Sequence, residues 1–282
     1  MPDTTNFARL RLAPKDFQRL SNFIHGEYGI KLPEAKKIML ESRLGKRLRT
    51  LQMGSFHEYV DYVLSQEGKE YELIHMIDLV TTNKTDFFRE PVHFDYLVRQ
   101  VLPELLTEPR GNKINIWSAG CSTGEEPYTL AMVLSEYAAR TPGFNYDITA
   151  TDISQSVLET AIEAIYDEDK VAPVSQSLKK KYILRSKKQE KRQIRIKPAL
   201  RQKITFYRLN LMDSQYDRLN KMDIVFCRNV IIYFDRPTQE QLINRMCRYL
   251  KPGGFLFMGH SETLFSMNVP LSQVAPTIYQ RA

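Results

Sequence analysis

The chain reads as an α/β protein. A mostly parallel sheet with helices on both faces follows a small all-helical N-terminal domain and is interrupted by an inserted β-hairpin subdomain. Three observations predict this. Short apolar runs alternate with helical ones after Arg110-Gly111, the first 80 or so residues carry apolar positions at helical spacing, and a basic stretch from Lys179 to Lys203 breaks the alternation. A length of 282 residues suits one large domain with a small one. The expected divisions are residues 1–80 for the helical domain, 81–90 for a linker, and 91–282 for the α/β domain, with the insert at 178–203.

In the helical part, Phe17, Leu20 and Ile24 recur at helical spacing. So do Leu44, Leu48 and Leu51, then Phe56, Tyr59, Val60 and Val63, then Leu73, Ile74 and Ile77. Pro33 suits the first turn of a second helix, and Gly54-Ser55 a break before the third. The polar stretch Thr81-Thr82-Asn83-Lys84-Thr85 separates this bundle from the α/β part of the chain. Expected strands are Ile114–Trp117, Tyr146–Thr151, Ile204–Leu209, Ile224–Cys227 and Phe255–Met258. Expected helices are Pro127–Tyr137, Ser154–Ala164 and Thr238–Leu250. Such alternation implies right-handed crossovers and a sheet covered on both faces. Thr277-Ile278-Tyr279-Gln280 reads as a closing strand, antiparallel at the edge. Gln193-Ile194-Arg195-Ile196-Lys197 alternates with period two, as a half-exposed strand of the insert would.

The hydrophobic fraction of 43% and charged fraction of 26% are ordinary for a soluble globular protein. No apolar run approaches the roughly 20 residues of a membrane span, and Met1-Pro2-Asp3-Thr4-Thr5 lacks the pattern of a signal peptide. Cys121, Cys227 and Cys247, odd in number and scattered, read as neither a disulfide framework nor a zinc site. A reducing cytoplasm is the expected setting, without membrane insertion or a metal. Net charge is +7, with twelve Lys/Arg against one acid, Glu190, between Lys179 and Lys203. A second basic cluster spans Lys31 to Arg49. Such patches suit an acidic partner, whether nucleic acid, membrane or protein, or only a solvated face.

The strongest local signal is the run Ile114 to Pro127, a strand leading through the small-residue loop Ser118-Ala119-Gly120-Cys121-Ser122-Thr123-Gly124 into a helix opened by Glu125-Glu126-Pro127. Small residues let the backbone pass close to a ligand at the carboxyl end of the first strand. The glycines do not fit the G-x-G-x-x-G or P-loop spacing, and two acids would repel a pyrophosphate while welcoming a cation. A plain βα turn with an acidic first helical turn is the alternative. The second strand ends at Asp152, suited to a ribose diol or to capping the next helix. The third is followed by Asn210, suited to an adenine edge or a turn, and the fourth by Arg228-Asn229. Four such ends along one sheet edge point to a ligand with ribose, adenine and positive charge but no phosphate. S-adenosylmethionine fits that description better than NAD or ATP. Lys251-Pro252-Gly253-Gly254 resembles a turn that recurs in class I methyltransferases.

The chain resembles the CheR family of chemotaxis receptor methyltransferases. The carrying segments are Thr81 to Glu90, the Ser118 to Tyr128 loop, Phe226-Cys227-Arg228-Asn229 through Tyr233-Phe234-Asp235, and Gly259-His260-Ser261-Glu262. The match spans nearly the whole chain. The resemblance implies a class I S-adenosylmethionine-dependent fold, a methyl donor converted to S-adenosylhomocysteine, and glutamate side chains on the cytoplasmic helical region of chemoreceptors as acceptors. It also implies that Asn83, Thr85, Arg89, Glu126, Asp152, Asn210, Leu211, Arg228 and Asn229 line the cofactor site. Arg89 and Tyr233 match positions thought to hold the target glutamate. Some family members grip a receptor peptide with a glycine-containing hairpin turn; the corresponding Ser186 to Lys191 here has no glycine.

A glutamate carboxylate, with a reference pKa of about 4.3, is ionised at neutral pH and needs no general base. The absence of a Ser-His-Asp constellation is therefore expected. Phe87, Phe88 and Trp117 suit either a low-dielectric pocket or ordinary core. Lys36, Arg43 and Arg47 lie at i, i+7 and i+11 of the second helix, a face expected to meet acidic receptor helices. The rival readings are a nucleic-acid methyltransferase and a non-catalytic cofactor-binding module. The first is disfavoured: the chain has no N/D-P-P-Y/F or paired-cysteine signature, and aromatics barely interleave the basic run. A monomer that binds no nucleic acid is expected.

Overall fold

A computed structural model describes residues 10–107, 113–186 and 192–282. The N-terminal pentapeptide, the Arg110-Gly111 break and Lys187 to Lys191 of the expected hairpin turn lie outside the described residues. Two compact units emerge: residues up to Thr82 together with Tyr233–Asp235, and the remainder from Asn83 onward.

The first unit contains five helices among the described residues: α1 (Pro14–Tyr28), α2 (Lys37–Thr50), α3 (Phe56–Leu64), α4 (Gln66–Tyr71) and α5 (Leu73–Val80). Pro14 opens α1, and Gly29, at φ +69°, ends it in the left-handed conformation that glycine adopts without penalty. Ser55 caps α3 by accepting from the Glu58 amide. The unit's core is built from Phe17, Leu20 and Ile24 of α1, Leu40, Leu44 and Leu48 of α2, the four apolar positions expected in α3, and Met76, Ile77 and Val80 of α5. Two details differ from expectation. Pro33 precedes a 3₁₀ turn, Glu34–Lys36, and α2 begins only at Lys37. Leu51 lies one residue beyond α2 and is half-buried, and Leu73 and Ile74 are likewise half-buried.

The second unit starts with α6 (Val92–Tyr96), joined by a π-helical stretch, Leu97–Val101, to α7 (Leu102–Thr107). Then come β1 (Lys113–Ala119), α8 (Glu125–Ala138), β2 (Asn145–Asp152) and α9 (Gln155–Glu163). Next are β3 (Ile165–Asp167), α10 (Gln176–Tyr182), β4 (Ile183–Arg185), β5 (Gln193–Ile196), α11 (Pro198–Arg201) and β6 (Ile204–Arg208). The chain finishes with β7 (Met222–Cys227), α12 (Arg236–Tyr249), β8 (Leu250–Met258), β9 (Leu271–Ala275) and β10 (Ile278–Arg281).

Seven of these strands form one sheet in the order β6-β2-β1-β7-β8-β10-β9. The first five run parallel, and β10 is antiparallel to both its neighbours. The central strands β1 and β7 are mostly buried and largely apolar, as a sheet covered on both faces requires, and the buried Asp223 of β7 accepts from the Asn115 amide and from Lys251. The closing strand is antiparallel as expected, but the edge belongs to β9, whose sequence Leu-Ser-Gln-Val-Ala has no period-two alternation to reveal it. A second, antiparallel sheet has the order β3-β5-β4, so the period-two run at Gln193 is its central strand. This small sheet begins at Ile165, and the basic segment Lys179–Lys181 lies in helix α10.

Candidate functional site

Strand order reverses between β1 and β7, and in parallel α/β sheets the crevice outside the strands' carboxyl ends at that point receives ligands. The four expected ligand segments follow β6, β2, β1 and β7, which are consecutive in the sheet. After β1, Gly120 turns at φ +75°, and the amides of Gly120 and Cys121 both donate to the Thr151 carbonyl of β2. Asp152, 8% exposed, accepts from the Ser122 amide at 2.8 Å and the Ser154 amide at 3.0 Å. One carboxylate thus closes the turn that leads to Ser154, the N-cap of α9, and also ties β2 to the loop after β1. Ser122 donates its hydroxyl to the Asn83 carbonyl, bringing the Asn83–Thr85 segment to the same place. Thr85 is 9% exposed, and its carbonyl accepts from Lys170.

Arg228, just past β7, is 6% exposed and binds two acids. It donates to Glu90 at 3.0 Å, to Glu126 at 3.3 Å and to the Arg89 carbonyl, while its guanidinium stacks over Phe94 at 5.5 Å. Glu126 also accepts from the Ser118 hydroxyl at 2.8 Å. Burial raises the Glu126 carboxyl above its ordinary range, and the Arg228 charge only partly offsets this. Burial also pushes Glu90 up, but the Arg228 charge and the His260 amide outweigh it, and Glu90 ends below its ordinary value. Arg89 contrasts with Arg228. Half-buried, it donates to the Lys84 carbonyl at 3.1 Å and forms no ion pair with a carboxylate among the described residues, though its charge acts on Glu126 from further off.

Phe88, Glu90, Ser122 and Asn229 are four of the eight described non-glycine residues at positive φ, and all four sit around this crevice. For a bulky residue such as Phe88 that conformation costs roughly 1–2 kcal/mol. It is held by the Phe88 amide donating to the Thr129 hydroxyl and by Arg228 on the far side of Arg89. Asn229 (φ +59°) has a buried Oδ1 without a hydrogen-bond partner. Its amide donates at 2.7 Å to Glu262, which is 3% exposed. Asn210 Oδ1 accepts from the Met212 amide, so it makes the turn that its residue type favours, and the Leu211 carbonyl accepts from Tyr216 and Arg245.

Trp117 and Phe87, 0% and 1% exposed, are core residues: the indole donates to the Thr151 hydroxyl and Phe87 lies edge-on to Tyr166. Phe88 is half-buried against Phe94. Cys121 is 1% exposed and burial drives its thiol far up, which makes it inert. A grouping that sequence reasoning missed joins Glu90, His93 and His260, whose ligand-type atoms lie within 4.8 Å of one another. Its carboxylate is already bound by the Arg228 guanidinium, a cation. Glu90 and Glu262 fall inside motif segments, yet nothing in their spacing marked them as the acids that organise the crevice.

On the expected docking face, the two arginines make bonds within the helical unit. Arg43 donates to the carbonyls of Leu79 and Thr81 at 2.9 and 2.8 Å, closing the carboxyl end of α5. Arg47 grips Glu72, 1% exposed, with bonds of 2.9 and 2.6 Å, and Tyr59 donates to the same carboxylate. Both guanidinia hold the helical unit together, serving a buried glutamate and a helix end, and both stay half-exposed. Lys36 lies 5.2 Å over the ring of Tyr233. Tyr233 and its neighbours belong by contact to this unit: the Tyr233 carbonyl accepts from the Lys31 amide and Asp235 pairs with His25.

No helix among the described residues is long and apolar enough to cross a membrane. Comparison with known proteins matches residues 83–279 to the family model described as CheR methyltransferase, SAM binding domain, and residues 15–81 to CheR methyltransferase, all-alpha domain. The chain is 40% identical over 276 residues to a chemotaxis protein methyltransferase of Borreliella burgdorferi, covering 96% of each chain. It is 37% identical to chemotaxis protein methyltransferase 2 of Pseudomonas aeruginosa (95% of this chain, 93% of that one). It is 35% identical to the chemotaxis protein methyltransferase of Escherichia coli (96% and 92%).

Proposed function

This chain belongs to the CheR methyltransferase family, and from that premise we propose that it transfers a methyl group from S-adenosylmethionine to glutamate side-chain carboxylates on the cytoplasmic helices of chemoreceptors. The products are glutamate methyl esters, which serve chemotactic adaptation, and S-adenosylhomocysteine. The observation that carries the glutamate reading is the contrast between two arginines. Arg228 is bound by Glu90 and Glu126, whereas Arg89, tied to it through its own carbonyl, forms no ion pair with a carboxylate among the described residues.

The donor set fits the cofactor. Glu126 and Asp152 offer negative charge for a sulfonium and a ribose, the buried Asn229 Oδ1 lacks a hydrogen-bond partner, and the loop after β1 is small enough for close approach. Asn83, Thr85, Asn210 and Leu211 complete the set of residues that would hold it. When bound, S-adenosylmethionine supplies an electrophilic methyl carbon on a positively charged sulfur.

The protein's own task is alignment, since the acceptor carboxylate is ionised at neutral pH (reference pKa about 4.3) and no side chain has to remove a proton. Orientation alone can contribute on the order of 7–11 kcal/mol to lowering the barrier. Arg89 holds one oxygen of the incoming carboxylate. A two-oxygen grip would withdraw the electron density that must attack, so the other oxygen stays free. Tyr233 is the second candidate to orient the substrate.

Incubating the purified protein with labelled donor and a receptor cytoplasmic fragment, then mapping the product by mass spectrometry, tests this. Base-labile methyl groups on glutamate are expected. Base-stable methylation of another residue type, or transfer to nucleic acid instead, would overturn it.

A further inference from the structure

Strands β7 and β8 pair in parallel up to Cys227 and Met258, and the chain turns away from both at the crevice. One side chain spans the two turns. Glu262 Oε2 accepts from the Asn229 amide at 2.7 Å and from the Gly259 amide at 2.6 Å, while Oε1 accepts from the Ile231 amide at 2.8 Å. A carboxylate taking three short backbone bonds, 3% exposed, rigidifies everything that it touches. The turns also interlock sterically. A Cβ on Gly259 would come within 2.5 Å of Asn229 Nδ2 and 2.8 Å of the Asn229 amide nitrogen. Between these constraints Asn229 sits left-handed at φ +59° with its side-chain oxygen buried and unpaired. The sequence assigned Glu262 no role beyond membership of a motif.

We propose that Glu262 is the positioning residue of the donor crevice, fixing Asn229 and the Arg228–Ile231 turn in the conformation that receives the methyl donor. It touches neither donor nor acceptor; it acts through Asn229. Glutamine in its place keeps one accepting oxygen and sets an NH₂ group against a backbone N–H, so the three-bond arrangement cannot survive. The inference rests on the reading of the crevice as the S-adenosylmethionine site.

The test uses the whole chain and Glu262→Gln, Asn229→Ala and the double variant. Three measurements are made: amide hydrogen exchange of the ligand-free protein, calorimetric titration with S-adenosylhomocysteine, and thermal unfolding. In Glu262→Gln the amides of Asn229, Ile231 and Gly259 should lose protection and the Kd should rise at least tenfold at temperatures where the protein is fully folded. In the Asn229→Ala background the same change should weaken binding less than threefold, because the two act as one unit. Gly259→Ala crowds Asn229 and the Glu262 carboxylate without removing the charge and should weaken binding similarly, which keeps the idea testable if Glu262→Gln does not fold. Kd values within twofold of wild type in either folded single variant, or effects that simply multiply in the double variant, would overturn the inference. A purely structural glutamate would lower the melting temperature and leave Kd unmoved. Absence of heat with the wild-type chain would instead bring down the donor reading itself, and this inference with it.

Discussion

Arg228 and Glu90 form a buried ion pair 3.0 Å long, with side-chain exposures of 2% and 11%, and the same guanidinium donates to the carbonyl of the intervening Arg89. Glu90 in turn accepts from the His260 amide, so the segment bearing Arg89 is pinned to the ends of β7 and β8. The backbone of Arg89 is thereby fixed, while its guanidinium bonds the Lys84 carbonyl.

Glu90→Ala should therefore cost stability on the order of 2 kcal/mol. That is less than the 3–5 typical when a buried charge loses its sole partner, because Glu126 remains beside Arg228. Urea unfolding measures it, and an unchanged midpoint would show that the pair contributes nothing.

Arg89→Ala should lower methyl transfer at least about 100-fold, the usual consequence of removing a placed electrostatic contact, while S-adenosylhomocysteine binding survives in large part. Lysine at this position should recover only part of the rate, since it lacks the planar fork. Robust turnover by the alanine variant would refute the role.

His93, 1% exposed, faces Glu90, His260 and Arg228, and burial together with the Arg228 charge lowers its pKa from 6.5 to about 4. Between those values the unfolded chain binds a proton that the folded chain refuses. Stability from this site is full above about pH 6.5 and lost as pH falls toward 4, by about 3 kcal/mol in all. The lowered Glu90 carboxyl acts in the same direction. Unfolding midpoints at pH 7 and pH 5 should differ accordingly, and His93→Gln should flatten the difference. An NMR titration placing His93 near 6.5 would contradict it.

Arg47→Ala should destabilise the helical unit by roughly 3 kcal/mol, because Glu72 would stay buried with only the Tyr59 hydroxyl. Lysine cannot restore the two-bond grip and should recover little. Thermal unfolding decides; a melting temperature within one degree of wild type would show that the Arg47–Glu72 grip adds nothing to stability.

The hydrophobic pattern made much of the fold legible. Leu44 and Leu48, or Ile116 beside Trp117, bury where their period says they should, because one face of a helix or the middle of a sheet must leave water. Strand β9 was hidden because Leu271–Ala275 lacks a period-two alternation and lies largely exposed at an edge, where backbone bonding to β10 defines it. The bonds of Arg43 and Arg47 were hidden for a related reason: spacing fixes which residues share a helix face, not what each side chain bonds.

From its residues alone, the chain could be read as a small helical unit beside a parallel sheet, and as a crevice lined by Asp152, Asn210, Arg228 and Asn229 at the strands' ends. Periodicity and the residues that come after each strand are local properties written along the chain. Which arginine is bound and which is left without a carboxylate, and that Glu262 joins the turns after two different strands, depended on folding. Charge partners are chosen by distances through space between groups remote in sequence, and burial alone gives those choices their strength.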